Sequence, residues 1–341
     1  MVTRVDSSNA TQAATHTGHK AGDKAGDKAV LREAAAPTES PAWYGMEVLQ
    51  DSLEFHQDLR GDAPPINAAS GILVDADSGA ILWERAEHTA MSPASTTKIL
   101  TALVTLENFP PDKLVEVTPD ALREQTDETL MGLVAGEKLT VQELLTGALM
   151  VSGNDAATTL AVDTVGLDRF VAAMNAQVKA LGLRDSHFTT PVGLEDPAQK
   201  TSAYDLAMLA TATVNHFPLF RQIVATVHTV LPGTATHHTY ELWNLNQLLG
   251  TYPGASGIKP GWTGDAGPCL VGMAERDGHR LISVLLNAPL VFNESRQLLD
   301  WGFVQEGLHP VLPPTPAPPP PPKPAVPAAA PQPSPAHTRA R

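Results

Sequence analysis

Hydrophobic and polar positions follow two different periods along the chain, one typical of strands and the other of helices. Two short apolar runs, Ser70–Asp75 and Ala80–Arg85, flank an Asp-Ser-Gly turn and predict a β-hairpin. We expect Ser92 and Pro93 to start a helix as its N-cap and first residue, and apolar residues continue through 99–106. Because these apolar residues surround most of the helix, we expect it to be buried near the centre of the molecule.

Residues 110–200 carry mainly helical signals. Thr140 and Glu143 match the capping box T-x-x-E in front of an apolar stretch, which predicts the start of a helix. Two further helices are expected at 155–162 and 168–181, the second of them ended by a glycine.

The period of strands returns in the last third of the chain. We predict strands at 222–231, 269–275 and 280–287, the last two joined by an Asp-Gly hairpin turn, and a final helix at 294–299. Strands from both parts of the chain therefore enclose the helical stretch, which predicts a sheet domain with a helical insertion.

Both ends of the chain differ in composition from this span. Residues 1–40 are polar and repeat the element AGDK, whereas 14 of the 30 prolines lie at 310–341 and favour an extended polyproline-II conformation. We therefore expect a disordered polar segment at 1–40, a folded domain at 41–308 and a disordered Pro-rich tail at 309–341. A spacer is the favoured role for the tail, with docking to a partner or to the cell wall as the alternative.

Charge and composition exclude several classes of protein. With 23 Lys and Arg against 37 Asp and Glu, the formal net charge is −14, which disfavours binding to nucleic acid. The single cysteine, Cys269, is expected in the core and allows no internal disulfide. His237 and His238 are neighbours in a strand-like stretch and should point to opposite faces, so we expect no shared metal ion. No apolar stretch is long enough to cross a bilayer, and none of signal-peptide type follows Met1.

The first candidate for chemistry is the motif Ser95-Thr96-Thr97-Lys98. A serine hydroxyl becomes a nucleophile when a neighbouring group takes its proton, and a lysine of lowered pKa can do so. At positions i and i+3 of a helix start, Ser95 and Lys98 share one face, and the helix dipole helps to lower the pKa of the lysine. An unreactive surface pair is the alternative interpretation when the motif stands alone.

Two further motifs contain residues suited to the same chemistry. In Ser152-Gly153-Asn154, Ser152 offers a hydroxyl that can relay a proton and Asn154 an amide that can contact a lysine and a substrate, with helix capping as the simpler alternative. In the stretch GIKPGWTG at 257–264, Lys259 lies beside glycines that let a substrate backbone approach a strand edge, with a plain Gly/Pro loop as the alternative.

The order S-x-x-K, S-x-N, K-x-G resembles the signature of the penicillin-recognising serine acyl transferases. The sequence resembles the low-molecular-weight penicillin-binding proteins, the serine D-alanyl-D-alanine carboxypeptidases, over about 65–303. The resemblance includes PASTTKILTALV at 93–104, LMVSGNDAATTLA at 149–161, LGLRDSHFTTPVGLED at 181–196 and GIKPGWTGDAG at 257–267. It implies an α+β, penicillin-binding/β-lactamase-like fold: an antiparallel sheet flanked by helices, with an all-helical insertion at about 110–200.

The resemblance also implies catalytic roles by motif. Ser95 attacks the carbonyl between the two terminal D-alanines of a peptidoglycan stem peptide, and Lys98 is the general base. Ser152 relays a proton to the leaving amine, and Asn154 orients Lys98 and the substrate amide. The backbone N–H groups of Ser95 and Trp262 form the oxyanion hole.

On the substrate-binding strand, the resemblance assigns contacts to Lys259, Gly261, Trp262 and Thr263, with Lys259 near the substrate carboxylate. β-Lactams are expected to acylate the nucleophile, and no cofactor or metal is expected. The protein is expected to act outside the cytoplasm, in the periplasm, in the cell wall or as a secreted protein, and membrane anchoring is unsupported by the sequence. For Trp262, a packing role is an equally good interpretation.

The chain departs from the family at the carboxylate-binding position. The family usually has Thr between the Lys and Gly of the third motif, where this chain has Pro260, which lacks a hydroxyl and a backbone N–H. Some members have an arginine at the position of Val291, whereas Arg296 lies one helical turn later. Losing such contacts lowers affinity about ten- to hundredfold, so we expect no strict preference for a free C-terminal carboxylate, with Thr263 compensating in part.

Two alternative functions stay open from the sequence. A class A β-lactamase has the same motif order but needs a carboxylate in an E-x-x-L-N element, and neither Glu195 nor Glu241 begins one. A non-catalytic relative that binds wall peptides is the other alternative.

Overall fold

The computed structural model describes residues 54–123 and 129–311 of the 341-residue chain. The polar segment at 1–40 lies outside the described residues, as does the tail from residue 312 onwards. Their expected disorder, and the start of the domain at residue 41, therefore stay predictions.

A six-stranded sheet in the order β1-β3-β2-β10-β9-β8 forms the centre of the domain. Its strands are β1 (His56–Gln57), β2 (Ser70–Asp75), β3 (Ala80–Arg85), β8 (Ala255–Thr263), β9 (Gly267–Arg276) and β10 (His279–Leu286). Neighbouring strands are antiparallel except β1 and β3, which run parallel. Both hairpins expected from the sequence, β2–β3 and β9–β10, are present. Because β8 is an edge strand of this sheet, one side of its backbone faces away from the other strands.

The described part of the chain also contains seven α-helices and two short two-stranded ladders. The helices are α1 (Lys98–Asn108), α2 (Val141–Met150), α3 (Asn154–Val162), α4 (Leu167–Ala180), α5 (Ala203–His216), α6 (Pro218–Ala225) and α7 (Val291–Gln305). The ladders pair β4 (Leu114–Glu116) with β5 (Lys138–Thr140), and β6 (His228–Leu231) with β7 (Tyr240–Trp243). The insertion is therefore not all-helical, since β4 and β5 lie within it; strands of three residues are too short to show a period in the sequence.

Three predicted boundaries are wrong. The chain enters α1 through a 3₁₀ helix, Ala94–Thr97, so Ser92 and Pro93 are not its N-cap and first residue. The strand predicted at 222–231 is helical as far as residue 225, because Pro218 starts α6 and its apolar residues share one helical face. The last helix, Val291–Gln305, is longer than the six residues predicted.

The core has one layer on each face of the sheet. Along β2, Ile72 and Val74 pack with the layer that contains α1, whereas Leu73 packs with the layer that contains α7. The first eight residues of α1 are buried, which confirms the predicted central helix. Cys269 is buried in the α1 layer, as expected, and the capping box of Thr140 and Glu143 is formed. Within 54–123 and 129–311, no helix has the length and apolar character that spanning a bilayer requires.

Candidate active site

Ser95 and Lys98 meet at the start of α1. Ser95 lies in the 3₁₀ helix and is partly exposed, and Lys98 is the first residue of α1 and fully buried. The Lys98 Nζ atom lies 3.1 Å from Ser95 Oγ. The short helical segment thus brings a buried amine to an accessible hydroxyl, as the spacing predicts.

Two more groups hold the Lys98 amine. Its Nζ donates hydrogen bonds to Asn154 Oδ1 at 2.5 Å and to the backbone carbonyl of Val192 at 2.9 Å. Asn154 is the first residue of α3, and its side-chain oxygen faces the Lys98 amine. Sequence reasoning did not identify Val192, because every residue type has a backbone carbonyl. Only the family resemblance over 181–196 indicated that this loop belongs to the site.

The loop that carries Val192 rests directly on the segment before the serine. Gly193 has φ +90°, and a Cβ atom there would lie 1.8 Å from the carbonyl oxygen of Ala94, so glycine is required at this contact. Thr101 Oγ1 on α1 also donates a hydrogen bond of 2.6 Å to Pro191 O. These contacts fix the Val192 carbonyl next to Lys98.

Asp155 fixes the start of α3 from the opposite side. Its buried carboxylate accepts hydrogen bonds of 2.7–2.9 Å from the backbone N–H groups of Met131, Gly132 and Leu133. The residue is missing from the sequence-based site, although an acid in the first turn of a helix is a recognisable signal. It positions Asn154 rather than contacting the lysine itself.

Ser152 is placed by a strained backbone. The residue is 4% exposed and has φ +59°, and Ala94, directly before the serine of the first motif, has φ +47°. Left-handed conformations are costly for residues with a side chain and gather at functional sites. Ser152 therefore lies at a constrained turn two residues before Asn154.

Lys259 is fully buried in the middle of β8. Its Nζ donates a 3.0 Å hydrogen bond to the carbonyl of Pro260. Burial, together with the positive charge of Lys98, holds the pKa of Lys259 well below its ordinary value. The two lysines of the first and third motifs are thus within electrostatic range of each other.

Gly261 brings β8 against the 3₁₀ helix that contains Ser95. A Cβ atom at this position would lie 2.9 Å from the backbone nitrogen of Ser95. The absence of a side chain therefore allows the strand and the Ser95 N–H to sit side by side, as close approach of two backbones requires.

The pairing of β8 with β9 directs the Trp262 N–H toward the open edge of the sheet. Trp262 lies opposite Pro268, which has no N–H, and the carbonyl of Pro268 accepts a hydrogen bond from Ala288 N at 2.9 Å rather than from β8. This is a non-hydrogen-bonded pair of the antiparallel ladder, in which both backbones point outward. Pro260, two residues earlier, has the same orientation, which explains why a proline is tolerated in this strand.

The outer part of the third motif is open to solvent. Trp262 is 70% exposed, so the packing interpretation of this residue is wrong. Thr263 is partly exposed, and its Oγ1 accepts a 3.1 Å hydrogen bond from Ala266 N within the turn after β8.

Arg296 does not replace the arginine expected at Val291. Its guanidinium is buried on α7 and donates to Gln247 O at 3.0 Å and to Thr251 Oγ1 at 2.6 Å. Burial lowers the pKa of Arg296. The side chain is thus bound to the 247–251 turn.

The remaining candidate residues from the sequence form hydrogen bonds or ion pairs elsewhere in the structure. Glu195 Oε1 accepts a 3.1 Å hydrogen bond from Asp265 N, and Glu241 faces His228 at 3.1 Å on the β6–β7 ribbon. The buried side chain of His237 faces Glu143 and the exposed side chain of His238 faces Glu137, so the two imidazoles point apart as predicted.

Comparison with known proteins gives one consistent family. The family model of peptidase S11, described as D-alanyl-D-alanine carboxypeptidase, matches residues 58–290. D-alanyl-D-alanine carboxypeptidase DacB2 of Mycobacterium tuberculosis is 37% identical over 244 residues, which are 69% of this chain and 82% of that protein. DacF of Bacillus subtilis is 33% identical over 72% of this chain, which spans 64% of the length of DacF.

Solved structures give the same picture. A D-alanyl-D-alanine carboxypeptidase from Mycobacterium tuberculosis has a TM-score of 0.65 and 36% identity, covering 72% of this chain and 95% of that one. The Streptomyces K15 DD-transpeptidase has a TM-score of 0.68 and 30% identity, covering 71% of this chain and 99% of that one. The fold class expected from the sequence, α+β and penicillin-binding-like, is confirmed.

Proposed function

The chain belongs to the peptidase S11 family of D-alanyl-D-alanine carboxypeptidases, and we propose from this premise that it removes the terminal D-alanine of peptidoglycan stem peptides through an acyl-enzyme on Ser95. The observation that carries the proposal is the contact of the Lys98 amine with Ser95 Oγ at 3.1 Å.

The surroundings of Lys98 suit a neutral amine. A neutral amine has two N–H donors and one lone pair, and Lys98 has two carbonyl acceptors, Asn154 Oδ1 and Val192 O, and one hydroxyl, that of Ser95. With both donors used by the carbonyls, the lone pair faces the Ser95 O–H. These features support Lys98 as the general base of acylation.

The reaction then proceeds through two backbone donors and one relay. As Ser95 Oγ attacks the carbonyl carbon, its proton passes to Lys98 and the carbonyl electrons move to the oxygen. The N–H groups of Ser95 and Trp262 stabilise this oxyanion. The proton on Lys98 is relayed through the Ser152 hydroxyl to the leaving amine, the electrons return from the oxyanion to re-form the carbonyl, and the C–N bond breaks. Water later hydrolyses the ester, which restores the Ser95 hydroxyl.

The remaining residues bind the substrate. The open edge of β8 pairs with the extended peptide, Gly261 keeps the strand close to Ser95, and Lys259 lies on the side of the leaving residue. Trp262 and Thr263 border the outer end of the cleft. β-Lactams acylate the same serine, and the protein acts outside the cytoplasmic membrane, where peptidoglycan lies.

The test compares acylation by a fluorescent penicillin and release of D-alanine from a pentapeptide, followed by mass spectrometry. We expect Ser95→Ala to abolish the covalent label, and Lys98→Met to slow acylation about 10²- to 10⁴-fold, the range of general-base catalysis. The matched control is Lys179→Met, at an exposed position of α4, which should label like the wild type.

Two outcomes would contradict the proposal. An unlabelled wild type that releases no D-alanine would favour a non-catalytic peptide-binding relative. Rapid and sustained hydrolysis of nitrocefin, in place of a burst that stalls, would favour a β-lactamase.

A further inference from the structure

The part of the cleft that receives the leaving residue offers few groups that bind an anion. In the proposed mechanism, the leaving residue lies on the Lys259 side of Trp262, where Pro260 is the next residue whose backbone faces the cleft. The charge and hydrogen-bonding capacity of this stretch decide whether the released residue must carry a carboxylate. The inference rests on the proposed function.

Pro260 supplies no donor at all. It has neither a backbone N–H nor a hydroxyl, although the register of β8 points its backbone at the open edge. Its one polar atom, the carbonyl oxygen, is an acceptor and already receives the Lys259 amine at 3.0 Å. A carboxylate beside this residue therefore loses water without gaining a hydrogen bond from it.

Lys259 is a weak partner for an anion. Its side chain is fully buried, its amine is bound to the Pro260 carbonyl, and both burial and the neighbouring Lys98 disfavour its charged form. A cation that is costly to charge stabilises a carboxylate less than an exposed lysine or arginine would.

Arg296 is the cation nearest in sequence to Val291, the position at which some family members have an arginine, but its side chain is bound elsewhere. The guanidinium of Arg296 is held by acceptors at Gln247, Thr251 and Asn293, so both of its terminal nitrogens already have acceptors. Val291, at the start of α7, is apolar and buried.

The groups that stabilise the reacting carbonyl do not depend on the leaving residue. Ser95 N–H, Trp262 N–H and Lys98 are all placed by backbone register or burial. We therefore propose that the enzyme accepts substrates whose released residue carries no free carboxylate, such as a C-terminal amide, and that Pro260 is the residue that sets this tolerance.

The experiment uses acylated L-Lys-D-Ala-D-Ala and the same peptide with a C-terminal amide, which both yield the acylated L-Lys-D-Ala product. Its measure is the ratio of kcat/KM for the acid to kcat/KM for the amide. In the wild type we expect this ratio to stay below about tenfold. Pro260→Thr adds a hydroxyl and a backbone N–H at the cleft and should raise the ratio about 10- to 100-fold, as a charge-assisted hydrogen bond would.

The matched control is Pro260→Val, which adds the same N–H and nearly the same volume as threonine but no hydroxyl. Its ratio should lie between those of the wild type and Pro260→Thr. A merely structural effect would lower kcat/KM equally for both substrates and leave the ratio unchanged. Melting temperatures show whether each variant is folded.

Either of two results overturns the inference. One is a wild-type enzyme that already prefers the acid more than about 100-fold, which needs no variant at all. The other is a Pro260→Thr ratio equal to that of the wild type. Failure to cleave either peptide, with no penicillin label on Ser95, would instead contradict the proposed function and the inference with it.

Discussion

Two fully buried ionisable side chains, Asp155 and Lys259, are treated in opposite ways by their surroundings. Asp155, at the start of α3, is 1% exposed and accepts hydrogen bonds from the backbone N–H groups of residues 131, 132, 133 and 156. Lys259, in the middle of β8, is 0% exposed and has one carbonyl as its hydrogen-bond acceptor, with a second lysine in electrostatic range.

Under the proposed function, the difference separates a structural group, Asp155, from a functional one, Lys259. A buried carboxylate with four donors is compensated and rigidifies the segments it joins. A buried amine with one acceptor is under-compensated, so its protonation state is adjustable and its presence costs stability. Burial alone does not distinguish the two groups; what distinguishes them is the number of hydrogen-bond partners that compensate the buried charge.

The largest expected effect comes from removing the compensated charge. Asp155→Ala leaves three N–H groups of the 131–133 segment and the position of Asn154 without their partner, so we expect a loss of about 3–5 kcal/mol in the free energy of unfolding, measured by urea denaturation. The matched control is Asp168→Ala, an exposed acid in the first turn of α4, which should cost less than about 1 kcal/mol. Equal losses in the two variants would remove the distinction.

Removing the under-compensated charge should have the opposite sign. We expect Lys259→Met to increase the free energy of unfolding by roughly 1–2 kcal/mol at pH 7 while it slows acylation, the usual exchange of stability for activity. Because folding lowers the pKa of the Lys259 amine, Lys259 binds a proton in the unfolded chain that it does not bind in the folded chain. Stability therefore rises with pH, and the advantage of the methionine variant should shrink as the pH approaches 10.5, the ordinary value for lysine. A destabilised variant at pH 7 would contradict this.

Glu137 is a second carboxylate whose charge is compensated by hydrogen bonds, and we expect it to contribute less stability than Asp155. Burial favours its protonated form, but hydrogen bonds from Tyr240 Oη and from the backbone N–H groups of His238 and Val134 outweigh burial and lower the pKa of Glu137 from 4.5 to about 2. The stabilisation is therefore complete above pH 4.5 and is lost as the pH falls toward 2.

Glu137→Gln should cost about 0.5–1 kcal/mol at pH 7, since solvent screens this partly exposed group, and nothing near pH 2. Urea denaturation at the two pH values measures it. Glu116→Gln is the control, because the exposed pair of Glu116 with Lys138 should contribute only a few tenths of a kcal/mol. A pH-independent difference would show that the carboxylate charge is not the cause.

The sequence predicts the side chains of the site better than its backbone groups. Ser95 and Lys98 are one helical turn apart, so their contact follows from local geometry, and Asn154 follows from its motif. Val192 contributes a carbonyl, which every residue type has, so its role depends on a tertiary contact through Gly193. The direction of the Trp262 N–H likewise depends on strand register, although the prolines at 260 and 268 contain that information once the pairing is known.

The predicted fold fails where tertiary context overrides local pattern. The apolar character of residues 222–225 suits a strand as well as a helix. They are helical because the helix that contains them begins at Pro218, outside the predicted strand. The β4–β5 pair joins strands of three residues across an intervening loop, which no local period can reveal.

The contact of Gly193 with Ala94 has a consequence for the unfolded chain. Lys98 and the Val192 carbonyl are 94 positions apart, so under the proposed mechanism the serine gains its reactivity only after the loop that contains Val192 has packed against the 3₁₀ helix before α1. A nascent or partly denatured chain is then chemically silent. Covalent labelling by a penicillin thus reports attainment of native tertiary structure, and its loss during denaturation should coincide with the opening of this single contact.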